Sequence, residues 1–172
     1  MRTRILGLAL SAGLLVVAFP AAASADTTGS GDGWTPITYG PLDHPAGLVC
    51  PFELKEEFPT QAVEMRVAAR YPDGSPLVTD YRGPLIAHFT NLSTGRTVDE
   101  DLSGTGTLYI LPDKSHLWVV PDNLGLTVPA GDPYHAQGEF VLSGGEAVSI
   151  SPTHQPDVLY QTKSVDVCDV LS

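Results

Sequence analysis

Basic residues are scarce in this chain. Nine lysines and arginines stand against twenty aspartates and glutamates, a formal net charge of −11. Such a surface repels phosphate backbones and anionic membrane faces, so no nucleic-acid binding and no lipid docking is expected. It leaves room for cationic partners or divalent ions, although solubility alone is the plainer account of the charge. Cysteine is nearly absent as well, with only Cys50 and Cys168, too few soft ligands for a thiolate metal site. No segment keeps a 3.6-residue apolar period for three turns, and fifteen prolines argue against long helices. Also missing are Gly-x-Ser-x-Gly, His-Glu-x-x-His and a phosphate-cradling glycine loop. The five histidines (44, 88, 116, 135 and 154) are dispersed. No catalytic residue, no cofactor and no metal is therefore expected. A Ser/His/Asp set assembled on paper has no strained turn to present its serine.

Long apolar runs are confined to the start. Arg2 and Arg4 precede an uncharged apolar run at residues 5–19, then Pro20 and the small residues Ala23-Ser24-Ala25. That order is a secretory signal peptide, residues 1–25, cut after Ala25. The run is shorter than the roughly 20 residues of a membrane-spanning helix. Cleavage would remove two arginines and no acid, making the exported chain more acidic still. No cysteine follows the cut to carry a lipid, and no apolar tail follows Cys168, so the expectation is a secreted, extracellular protein without a membrane anchor. In an oxidising compartment an even cysteine count reads as a disulfide, and two cysteines allow one intramolecular pairing, Cys50–Cys168.

Residues 26–47 are rich in Gly, Thr, Pro and Asp with scattered aromatics, and read as a flexible arm. Residues 48–172 read as a single all-β domain. Its clearest strand is at 62–70, where Val63, Met65, Val67 and Ala69 alternate with Glu64, Arg66 and Arg70. Pro72-Asp73-Gly74-Ser75-Pro76 is a turn, residues 91–95 a hairpin loop, and Ser143-Gly144-Gly145-Glu146 a further turn. Residues 121–136 read as a polar stretch. About nine short strands without helices predict an antiparallel β-sandwich, with a small closed β-barrel as the alternative.

Two constellations are candidate sites. If the loop at 112–115 is symmetric, Tyr109 faces Trp118 and Leu111 faces His116. Leu108, Ile110, Leu117 and Val119 then form a core row, and Tyr109, His116 and Trp118 an outer platform for a sugar ring or apolar ligand. The plainer reading is a cross-strand aromatic pair that stabilises the sheet by roughly 0.2–1 kcal/mol. A one-residue slip would exchange the two faces. Asp99 and Asp101 share one side of a strand about 7 Å apart, a weak calcium candidate if a loop supplied carbonyls. A solvated acidic edge that blocks aggregation is the blander alternative. Asn91-Leu92-Ser93 formally fits a glycosylation acceptor, although the hairpin accounts for those residues.

The Leu48-Val49-Cys50-Pro51-Phe52 opening, the Phe89-Thr90-Asn91-Leu92-Ser93-Thr94-Gly95 hairpin and Ser103-Gly104-Thr105-Gly106 resemble a group of small secreted proteins from actinobacteria. The resemblance implies an all-β domain and an exported location, and it brings no activity or catalytic residue. The leading expectation is a non-enzymatic binding or interaction module with a glycan or protein partner at the cell envelope. The alternatives are a secreted hydrolase or isomerase working in a cleft, and a carrier holding a small apolar ligand inside a barrel.

Overall fold

The computed structural model describes residues 33–172. The signal peptide, its cleavage point and the first part of the expected arm lie outside the described residues. Among those described, twelve strands and one short helix form an antiparallel β-sandwich. The larger sheet contains β1 (Thr35–Ile37), β4 (Val63–Arg70), β5 (Pro76–Gly83), β8 (Gly104–Ile110), β9 (His116–Val120), β10 (Asn123–Val128), β11 (Gly138–Ile150) and β12 (Pro156–Asp166). The smaller sheet runs β2 (Leu42–His44), β3 (Leu54–Gln61), β6 (Leu85–Asn91), β7 (Thr97–Asp101). Neither closes into a barrel. The alternation read in β4 holds, with Val63, Met65 and Val67 more buried than Arg66, Ala68 and Arg70.

The described part of the arm is not irregular. β1 pairs with β4, Thr35 opposite Met65, and β2 pairs with β3, Leu42 opposite Glu56. Trp34 is only 7% exposed, with the guanidinium groups of Arg66 and Arg82 4.7 and 4.0 Å from its ring. The folded unit therefore starts before residue 48. Three-residue edge strands are too short to show a period, which is why composition alone read them as loop.

A crease crosses the molecule where strands pass from one sheet to the other. β3 becomes β4 at Ala62, β5 becomes β6 at Gly83-Pro84, and β7 becomes β8 at Leu102-Ser103. The crossings are tied together: the Ala62 amide donates to the Pro84 carbonyl at 2.9 Å, and the Leu102 amide to the Leu85 carbonyl at 2.8 Å. Asn123 Nδ2 donates to the Ser103 carbonyl, and the Gly144 amide to the Asp122 carbonyl. At Gly83 (φ +129°) a Cβ would lie 2.3 Å from the Ala62 carbonyl oxygen, so only glycine allows this approach. The expected turn at residues 143–146 is part of the same crease. β11 runs through it as one thirteen-residue strand, pairing β10 before it and β9 after it. On one side of the crease β8 pairs with β9; on the other, the continuing strands β7 and β10 are not paired.

The chain ends in α1 (Val167–Leu171), capped by the Asp166 carboxylate, which accepts from the Cys168 amide at 2.8 Å. Cys168 thus lies in a helix, and it is bonded to Cys50 as expected. Val49, Phe52, Leu54, Phe89, Val167 and Leu171 bury themselves around this bridge. Asn91 Nδ2 donates to the Leu171 carbonyl at 3.0 Å, and the Arg96 guanidinium donates to the carbonyls of Val170 and Ser172. No helix among the described residues is long and apolar enough to cross a membrane.

Candidate functional site

The interior holds two separate clusters of buried apolar side chains. One surrounds the disulfide; the other contains Leu126, Val128, Leu142, Val148 and Ile150. Members of both line a partly enclosed cavity of about 360 Å³ that also reaches both sheets. Protein interiors are normally packed to crystal density with few voids larger than a water molecule. A space of this size lies in the usual range for small-molecule sites. Local sequence keeps it open. Gly106 and Gly125 both line it, and a Cβ at either would come within 3.2 Å of Val120 or Leu102 respectively. Trp118 and Tyr81 line one part of the wall with ring centroids 5.0 Å apart, and Tyr39 and Phe58 another at 5.6 Å.

Within this apolar lining sits a small acidic group. β11 places Glu139 in the interior, 2% exposed, where the Thr127 hydroxyl donates to its Oε2 at 2.7 Å. Burial raises its pKa well above the ordinary carboxyl value, the charges of Glu56 and Asp166 add to the effect, and the Thr127 bond opposes it. Glu56, on β3 and 5% exposed, has His44 Nε2 3.9 Å from its Oε2, beyond hydrogen-bond distance. That His44 nitrogen is buried with no hydrogen-bond partner. Burial pushes the Tyr39 hydroxyl up to about 12, with Tyr81 adding to the effect. These groups escaped the sequence reading, although one signal was present. Leu54, Glu56 and Phe58 occupy alternate positions of β3, so Glu56 shares the face of two core residues.

The aromatic platform does not assemble. β8 and β9 pair Ile110 with His116, Tyr109 with Leu117 and Leu108 with Trp118, one residue away from the symmetric register. The cause is the turn. The Leu111 amide bonds the Ser115 carbonyl, the Lys114 amide bonds the Leu111 carbonyl, and Lys114 takes φ +71°. This is a three-residue loop with a left-handed third residue, so Leu111 faces Ser115. Asp113 Oδ1 holds it by accepting from both the amide and the hydroxyl of Ser115. The slip sends Trp118 to the interior beside Leu108, while Tyr109 and Val119 go outward at 37% and 44% exposure. His116 follows Trp118, and burial, with His154 nearby, holds its imidazole below the usual pKa.

The calcium candidate is occupied by protein groups. His88 Nδ1 lies 2.5 Å from Asp99 Oδ1, and Asp101 Oδ1 accepts from the Ser103 amide at 2.8 Å. No group of three or more potential metal ligands occurs among the described residues. Asn91 is 2% exposed with its side-chain nitrogen bonded to Leu171, so the folded chain does not present it for glycosylation. A second concavity, about 570 Å³ but open, has Trp34, Arg66, Arg82, Val119, Glu146 and Tyr160 on its walls. Its arginines are already paired, Arg66 with Asp80 and Arg82 with Glu64, each at 2.8 Å. The partly enclosed cavity is the better-formed site. Comparisons with protein-family models, curated proteins and solved structures found no match.

Proposed function

We propose that this protein is a secreted, non-enzymatic β-sandwich that binds a small, predominantly apolar ligand in the cavity between its sheets. The cavity carries the reading. It is partly enclosed, its wall is mostly apolar, and it joins both sheets, as small-molecule sites do. A ligand that fills it removes that apolar wall from water. The apolar wall supplies affinity, and the few polar groups supply orientation. This is the carrier alternative with the ligand between two open sheets rather than inside a barrel. The disulfide supports an oxidising, extracytoplasmic location, as does the order of segments at the N-terminus.

N-phenyl-1-naphthylamine, a neutral apolar fluorophore, tests the reading. It should bind one per chain with enhanced fluorescence. Val148→Phe, which places a ring where the cavity is, should reduce binding at least tenfold while thermal unfolding shows a cooperative fold. Equal binding by this variant, or none by the unaltered protein, overturns the proposal.

A further inference from the structure

We infer that the ligand of this cavity carries a single ammonium group, its apolar body against the aromatic and aliphatic wall and its cation between Glu139 and Glu56. The inference rests on the proposed binding function and adds the chemistry of the head group. Glu139 is fully enclosed with one neutral donor, the Thr127 hydroxyl, and no lysine or arginine is paired with it. Glu56 stands close enough to disfavour the charge on Glu139, and the His44 Nε2 beside it is 3.9 Å away, beyond hydrogen-bond distance. A buried carboxyl pair without a hydrogen-bonded counter-ion is costly, and a cation brought by a ligand removes that cost. The remaining basic side chains on the wall are otherwise engaged. Arg82 is held by Glu64 at 3.0 and 2.8 Å and stacks over Trp34, and His154 belongs to the turn between β11 and β12.

The aromatic content of the wall points the same way. Tyr39, Phe58, Tyr81 and Trp118 expose rings to a cavity that also holds the two carboxyls, and ring faces attract ammonium groups. An anionic head group would meet like charge at the acidic group. A neutral molecule would leave Glu139 and Glu56 without a compensating partner. Binding is also a proton exchange in which every group is accounted for. If Glu139 is neutral beforehand, the arriving ammonium ion keeps its own protons, the carboxylic acid releases one to solvent, and a carboxylate–ammonium pair remains.

Isothermal titration with octylamine, octanol and octanoate at pH 7 separates the outcomes. Octylamine should bind at least tenfold more tightly than octanol, and octanoate most weakly. Glu139→Gln should abolish the preference for the amine while leaving octanol binding within twofold, which shows that the variant is folded and its cavity intact. Octanol binding as tightly as octylamine overturns the head-group inference and leaves the carrier reading standing. So does an amine preference that survives both Glu139→Gln and Glu56→Gln. If none of the three binds, the carrier reading falls and this inference with it.

Discussion

Single residues set this structure in ways their chemistry alone does not announce. Lys114 is the clearest case, because a left-handed backbone at a non-glycine position decides the register of a whole hairpin. The same geometry recurs at residues 71–75 with Gly74 and at 151–155 with His154. In each, the fourth residue donates to the carbonyl of the first and the first to that of the fifth. Glu146 shows the reverse, a burdened residue. Both its carboxylate oxygens are buried without a well-formed hydrogen bond, and burial raises its pKa to about 7, the nearby Gly145 amide opposing the rise and Asp122 adding to it. A carboxyl whose folded pKa is raised contributes stability below its unfolded pKa and loses it as pH rises through the folded value. Between about pH 4.5 and 7 the protein should therefore lose stability at this site, on the order of 1 kcal/mol after allowance for solvent screening. Urea unfolding across that range checks it: the difference between Glu146→Gln and the unaltered protein should grow in favour of the variant as pH rises.

At the level of elements, the β8–β9 hairpin illustrates how a register sorts side chains between core and solvent. Trp118 is opposite Leu108 and Val148, packs with Tyr81 and belongs to the second apolar cluster. Trp118→Ala should lower stability by about 3 kcal/mol or more, as removal of a core aromatic does. Tyr109→Ala, on the outer face, should change it by about 0.5 kcal/mol or less. Chemical unfolding of the two variants compares them directly, and equal losses would mean that the symmetric register is the true one. β1 and β2 make a related point. Each is three residues long and owes its place to anchors outside itself, the arginines over Trp34 for β1 and the wall of β3 for β2.

Across the whole molecule, the terminal helix is tied to the start of the core by the Cys50–Cys168 bridge, 118 residues apart in sequence. Closing so long a loop removes much of the freedom of the unfolded chain. Cys168→Ser should cost about 2–5 kcal/mol, read from the urea midpoint. The far-UV signal of the strands should persist, because neither sheet contains the bridge and Asn91 and Arg96 still hold the helix. The crease and the unpaired edges of β7 and β10 act on the same scale. They bend strands from one sheet into the other, and the large cavity lies between the two sheets that result.

Short-range rules made the all-β class, the antiparallel sandwich and the β4 strand legible in the chain, because alternation and turn chemistry act over a few residues. The disulfide was legible from counting, since two cysteines leave one pairing. Tertiary structure alone decided the rest. Which face of β9 turns inward depended on one backbone angle at Lys114, and a one-residue shift moves every side chain across the sheet. The cavity was invisible for a deeper reason. Its wall joins His44, Glu56, Trp118, Thr127, Glu139 and Ile150 from strands distant in sequence. No local pattern encodes such a cavity: it exists only where packed sheets fail to meet.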